Sequence, residues 1–490
     1  MLLTFVILYL VLSIGVGLAA GLGVHNTRDY VVAGRTLPLY VVTAMVFATW
    51  FGSETVLGIS STFIKDGLRG IVADPFGSSL CLVLVGLFFA ARLYRMDLLT
   101  IGDYYRVRYD ATAELLTSLC IVISYLGWLS AQIVVIGLVF NVVTAGAVGV
   151  SAGIVIGAAV VLVYTLWGGM YSVAWTNFVQ TVIIVAGLLY IFTLVADKAG
   201  GIGTVVNHAH AAGKLEFWPR PEARDVLAFI GAGVTLMFGS IPQQDVFQRV
   251  TSARSERVAV AGSVLGGSFY LLFAFVPIFL AYAATLIDPE MVARLMEKDH
   301  QQILPTLILA HTPLTAQVLF FGALLSAVMS TASGTLLAPS VTFTENVLKK
   351  FLRRELDDRA FLRAMRIVVA AFAAGVTVFA LNSESTIYEM VVGAYKVTLV
   401  AAFVPLAAGL YWRRATAQGA LAAIVGGLVT WIALEIAAPD GLFPPQLAGL
   451  LASIAGMLLG SLAPQWYGNK ALRAPDTMNS PPARGGVTTK

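Results

Sequence analysis

Ala327-Val328-Met329-Ser330-Thr331-Ala332-Ser333-Gly334-Thr335 lies in the middle of an apolar run from about Leu314 to Val347, and what this stretch requires decides how the rest of the chain reads. As a helix it puts Ser330, Ser333 and Gly334 on one face and pairs Ala327 with Thr331. Hydroxyls at bilayer depth are costly unless something uses them. Close approach of a second helix is one use, because small residues let backbones meet. A hard cation is another, since such ions take oxygen ligands and the stripe supplies hydroxyls beside whatever carbonyls a neighbour exposes.

The chain around this stretch is that of a polytopic helical membrane protein. Of its 490 residues 58% are hydrophobic and only 12% charged, and the mean hydropathy is +0.84. Cys81 and Cys120 sit in apolar segments, so no disulfide framework is implied. The five histidines lie in or beside loops without metal-site spacing. No Gly-rich loop followed by Lys-Ser/Thr is present, which argues against ATP hydrolysis as an energy source, and no basic patch points to nucleic acid. Leu2 to Leu22 lacks the basic start of a secretion signal and reads as a retained first helix.

Apolar runs of roughly 20 residues predict thirteen spans, at approximately 2–23, 37–63, 71–93, 112–141, 149–167, 172–196, 225–247, 258–286, 314–347, 364–382, 387–412, 416–437 and 446–464. Charge supports an odd number. With the N-terminus outside, 22 of the 31 basic residues fall in inner segments, including Arg92, Arg95, Arg106 and Arg108 and the run Lys349 to Arg366. Only Lys396 is then intramembrane. That bias predicts an outer N-terminus and a cytoplasmic C-terminus in the plasma (inner) membrane. Residues 465–490, rich in Pro, Gly, Ser and Thr, read as a disordered cytoplasmic tail.

Two spans carry breaks. Ala48-Thr49-Trp50-Phe51-Gly52-Ser53-Glu54-Thr55 and Phe238-Gly239-Ser240-Ile241-Pro242-Gln243-Gln244-Asp245 interrupt apolar runs with glycine, proline, amides and acids. Loosened backbone leaves carbonyls and amides that lipid cannot satisfy. The breaks are five spans apart, and each opens a block of five, 37–196 and 225–412, joined by an outer loop at 197–224. Residues 1–36 precede the blocks as an extra helix and inner loop, and 413–464 follow as two extra helices. Interrupted helices at equivalent places in two halves mark a transporter of inverted repeats with its site at mid-membrane. The hydroxyl stripe, in the third helix of the second block, is expected to face the first break.

Several stretches together resemble the sodium/solute symporter family, of LeuT-type fold. They are Gly34-Arg35-Thr36-Leu37 with Ala48 thirteen residues after Arg35, Gly102-Asp103-Tyr104-Tyr105, Gly168-Gly169-Met170-Tyr171 through Gln180, and Ala327 to Ser333. The resemblance implies an all-α polytopic fold of about 13 transmembrane helices, a 5+5 inverted repeat with one extra N-terminal and two extra C-terminal helices. It also implies a sodium site built from the carbonyls of Ala48, Phe51 and Ala327 and the hydroxyls of Ser330 and Thr331. One departure is Asn177, where the family usually has aspartate. Within the family, Ala48-Thr49-Trp50, Gly86 to Ala90, Trp128 and Phe247-Gln248-Arg249 look most like the high-affinity choline transporters. Trp50 and Trp128 match two positions of their aromatic cage. Ser78 and Gln243 stand where that group has Tyr and Trp, which favours a solute held by hydrogen bonds.

The candidate solute residues are Trp50, Glu54, Asp74, Ser78, Trp128, Gln132, Gln243 and Asp245. An acid at a helix centre costs about 2.5–3.5 kcal/mol and is functional by default, so Glu54 either faces the solute or joins helices, protonated or paired with Lys396. Asp74 before Pro75 suits a helix cap as well as a solute contact. Asp245 is four residues from Arg249, the spacing of a helical ion pair. Gln132 and Gln243 reach a pocket or cement helices. The expected activity is sodium-coupled symport, with sodium as the co-transported ion. The solute is a small organic molecule with a positive nitrogen (an amino acid, a choline-like amine or a polyamine), imported by a monomer or homodimer. The alternative is a transporter-like sensor acting through a separate partner.

Overall fold

The computed structural model describes residues 2–351, 357–383 and 385–467, so most of the expected tail, residues 468–490, lies outside the described residues. The described chain is helical, without a β-strand, and a single isolated bridge joins Leu37 to Ala253. The main helices are α1 (Leu2–Gly21), α2 (Leu39–Trp50), α3 (a bent run, Glu54–Arg95), α4 (Ile101–Arg108), α5 (Ala111–Val143), α6 (Val150–Lys198) and α7 (Ala223–Gly239). They continue with α8 (Gln244–Thr251), α9 (Glu256–Ile287), α10 (Leu314–Phe351), α11 (Asp358–Asn382), α12 (Ile387–Tyr411), α13 (Ala417–Ala437) and α14 (Pro445–Leu462).

Helix starts follow local chemistry. Asp110 accepts the Thr112 and Ala113 amides ahead of α5, and Thr100 with Asp103, like Thr386 with Glu389, forms a reciprocal cap. The outer helices keep large apolar side chains on their surface, such as Leu8 and Val11 of α1, Leu272 of α9, Ile367 of α11 and Ile436 of α13. That is the pattern of a lipid-facing belt. By contrast, every residue of α10 from Ala323 to Thr342 is buried. A helix enclosed on all sides is the axis of the bundle, and α10 packs against α2, α5, α6 and α8.

Ten helices among the described residues are long and apolar enough to cross a membrane, eleven if the pair α7 and α8, bent by 47°, is one broken span. The sequence reading expects thirteen. The difference arises in two long runs. α6 has 49 residues, about 74 Å at 1.5 Å per residue against a ~30 Å hydrocarbon core, and is interrupted at Gly169 with φ 48° and ψ −136°. There the glycine lies against the Tyr30 carbonyl and ring, leaving no room for a side chain. α3 has 42 residues, turning at Gly67 and at Asp74.

Both predicted breaks are present. α2 stops at Trp50 because Phe51 adopts ψ 77° and the Gly52 amide turns back to the Trp50 carbonyl at 2.9 Å. The Ala48 carbonyl thereby loses its helical donor. The next amide, on Ser53, leaves the helix altogether and donates to Gln132 Oε1 at 2.9 Å. In the other break α7 ends at Gly239 and α8 starts at Gln244, with Pro242 in the gap offering no amide. The freed Gly239 carbonyl accepts the Thr398 hydroxyl at 2.6 Å.

Candidate functional site

The carbonyl released by the first break is met by the hydroxyl stripe. Thr331 Oγ1 lies 3.1 Å and Ser330 Oγ 3.4 Å from the Ala48 oxygen, and Ser330 Oγ is 2.7 Å from the Ala327 oxygen. Four of the five expected sodium residues therefore form one oxygen cluster, and Phe51 is the hinge of the break beside it. All five are buried. Each hydroxyl donates to a carbonyl here but can rotate its proton away and offer lone pairs to a cation.

The expected solute residues gather next to this cluster. Glu54 begins the helix beyond the break; its carboxylate accepts Gln132 Nε2 at 2.8 Å, Ser53 Oγ at 3.3 Å and Trp128 Nε1 at 3.4 Å. Lys396 instead bonds Glu435 at 2.8 Å, so the helix-joining pair weighed for Glu54 does not form. Trp50 and Trp128 stack at 5.2 Å between ring centroids with planes 24° apart. Tyr395 packs at 5.3 Å from each of them, and Tyr125 stacks on Trp128 at 5.8 Å. Trp50 Nε1 and the Tyr395 hydroxyl are buried without hydrogen-bond partners, so the aromatic cluster carries unused donors.

Asp74 does not cap a helix. Tyr270 donates to its Oδ1 at 2.6 Å and Ser78 bonds the same oxygen, while Oδ2 has no partner. Tyr270 also meets the Thr55 hydroxyl at 3.0 Å, and Thr55 bonds the Trp50 carbonyl at 2.8 Å. Asp74 and Ser78 thus form a layer behind the first break. Across the site, the second break supplies Gln243, whose Nε2 donates to Ser124 Oγ at 3.0 Å, and Asp245, whose Oδ1 accepts the Tyr125 hydroxyl. The Asp245 and Arg249 pair anticipated from spacing is present but loose, at 3.7 Å.

Tyr395, Tyr125 and Tyr270 were not among the expected residues. Tyr125 had a signal, being three residues before Trp128 on the same helical face. Tyr395 and Tyr270 had none, because nothing local distinguishes them from other membrane tyrosines. Asn177, at the position of the family's usual aspartate, is buried with neither amide atom bonded.

An apolar helical bundle in which two interrupted helices and an oxygen-lined third helix meet beside buried acids and aromatic walls is the architecture of a secondary transporter. A sequence profile of the sodium:solute symporter family matches residues 30–427. This chain belongs to that family. It is a membrane-embedded symporter that carries sodium together with a small solute, not an enzyme. It is 27% identical over 441 residues to the high affinity choline transporter 1 of Homo sapiens, covering 87% of this chain and 75% of that one. To the osmoregulated proline transporter OpuE of Bacillus subtilis it is 25% identical over 489 residues, 93% of each chain. In three dimensions it is similar to a Na+-coupled sialic acid symporter solved in a substrate-bound outward-open state. The TM-score is 0.82 over 94% of this chain and 97% of that one at 17% identity, and the LeuT-type architecture follows.

Proposed function

We propose that the chain couples sodium bound at Ala48, Phe51, Ala327, Ser330 and Thr331 to the import of a small solute carrying a cationic nitrogen. The single observation that carries the solute class is the Glu54 carboxylate. It is buried at the edge of the Trp50, Trp128 and Tyr395 cluster, oriented by Gln132 and Trp128, and has no basic partner within salt-bridge distance among the described residues. A buried carboxylate without a counter-ion is costly, and a cationic solute offsets that cost. Aromatic faces add cation–π attraction. Similarity to choline and proline transporters supports a nitrogen-bearing solute. Trp50, Glu54, Trp128 and Gln132 form its near wall in this reading, Gln243 and Asp245 its far wall, with Asp74 and Ser78 bracing from behind.

In the same reading, thirteen crossings result when α6 is divided at Gly169 and α2 joins the first part of α3, with residues 37–196 and 225–412 as the repeats. The N-terminus is outside and the C-terminus cytoplasmic, and the working unit is a monomer or homodimer. Sodium bridging α2 and α10 favours one arrangement of those helices over the other, which is where coupling arises. Moving one charge down 100 mV yields about 2.3 kcal/mol, enough for roughly fiftyfold accumulation of a neutral solute.

Reconstituted vesicles presented with choline, betaine, proline, a polyamine and a sugar test the solute class. Sodium-dependent uptake confined to the nitrogen cations and zwitterions is expected. Sugar uptake at equal rates overturns the solute class, and binding without flux returns the sensor reading.

A further inference from the structure

Arg249 is 2% exposed, and its guanidinium touches three helices. Nη1 donates to the Asp245 carbonyl at 2.9 Å, and Nε faces the Met45 carbonyl of α2 at 3.4 Å. Nη2 lies against Gly334 of α10, where any Cβ would overlap it. Met45 precedes Ala48 by three residues, and Gly334 follows Thr331 by three. At about 5.4 Å per helical turn, α2 and α10 independently put the guanidinium roughly one turn from the oxygen cluster. Both displace it the same way, toward the end where α2 begins and α10 ends.

The carboxylate partner faces the other way. Asp245 Oδ1 takes the Tyr125 hydroxyl, Tyr125 stacks on Trp128, and Trp128 Nε1 faces Glu54. Asp245 Oδ2 has no hydrogen bond and stands 3.7 Å from Nη1. The pair is thus a buried dipole whose positive member contacts both sodium-site helices and whose negative member contacts the solute wall. A paired charge at this depth is costly compared with apolar packing, and Gly334 leaves the room that accommodates it.

We propose that Arg249 is a tethered cation that sets the affinity of the sodium site, with Asp245 as the counter-charge that moderates it. The inference rests on the assignment of sodium to Ala48, Ser330 and Thr331. Its physical content is a sign rule. Removing the guanidinium removes repulsion and leaves a bare carboxylate nearby, so sodium binds more tightly. Neutralising Asp245 leaves a bare guanidinium, so sodium binds more weakly. Loss of packing, by contrast, moves both variants in the same direction. With an effective dielectric near ~20 and charges roughly 8 Å apart, Coulomb's law corresponds to a change of about tenfold or more in each direction.

The test is equilibrium binding of radioactive sodium to the purified full-length protein without solute. Arg249→Gln is expected to tighten binding and Asp245→Asn to weaken it, each by about tenfold, while Arg249→Lys keeps the charge and stays within about threefold of the parent. Shifts of the same sign in Arg249→Gln and Asp245→Asn, or no shift in either, overturn the proposal. Should Arg249→Gln fail to fold, Asp245→Asn decides alone: weaker binding supports the proposal, and unchanged or tighter binding refutes it. Ser330→Ala with Thr331→Ala separates the two levels. Sodium binding that survives in that double variant removes the site assignment itself. Binding lost there, with the wrong signs at Arg249 and Asp245, removes only the inference.

Discussion

Gly52 stands where the sodium cluster and the solute wall meet, and replacing it with alanine perturbs both at once. A Cβ there would lie 2.8 Å from Gln132 Oε1, 2.8 Å from Thr331 Oγ1 and 2.9 Å from Glu54 Oε2. Ordinary contacts are roughly 3.5–4.0 Å, so three oxygens on three elements must each retreat. The backbone does not forbid alanine, since Gly52 is not among the glycines with positive φ. The conflict is therefore purely steric. Nor are the neighbours free to yield. Gln132 Oε1 is held by the Ser53 amide at 2.9 Å and Thr331 by the Ala48 carbonyl at 3.1 Å. Overpacking of this kind costs about 1–3 kcal/mol, or about 5- to 150-fold in binding. Uptake into vesicles, measured as solute KM and as the sodium concentration giving half-maximal rate, is expected to show both rising together. A rise in one alone, or in neither, refutes the claim that Gly52 joins two binding sites.

Glu54→Gln keeps the shape and removes the charge. At roughly 5 Å and an effective dielectric near ~20 the lost attraction is about 3 kcal/mol, so KM for a cationic solute rises on the order of a hundredfold. A neutral analogue changes little; if it loses as much, Glu54 acts through packing. Gly169→Ala forces a side chain into a positive-φ position against Tyr30 and destabilises by at least ~1–2 kcal/mol. The apparent melting temperature in detergent is expected to drop, and an unchanged value means that the break in α6 does not depend on glycine.

The breaks were legible because glycine, proline and acids inside apolar runs contradict a continuous membrane helix. The hydroxyl stripe was legible because helical spacing brings Ser330 and Thr331 near Ala327 on one helix, while its meeting with the Ala48 carbonyl rested on the order of the spans and on the family resemblance. What sequence did not reveal depends on approaches between distant segments. Tyr395 reaches Trp50 and Trp128 only because α12 crosses both, and Tyr270 reaches Asp74 only through the packing of α9 on α3. The role of Asp74 was open for a related reason. An acid before proline satisfies a local capping rule, and it is the tertiary contact with Tyr270, joined by the local bond from Ser78, that overrules it. The predicted spans part at 64–70 and 168–171, where α3 turns at Gly67 and α6 breaks at Gly169, so the counts differ because helix runs on through both places, not because the sequence hid them.

Sodium held between the interrupted helix and the hydroxyls of α10 is the claim on which the proposed coupling and the role of Arg249 both depend. Its most direct test is sodium-driven solute uptake by the Ser330→Ala, Thr331→Ala double variant at equal vesicle insertion. Uptake that no longer responds to a sodium gradient is the predicted result. Uptake still driven by sodium as in the parent protein contradicts it.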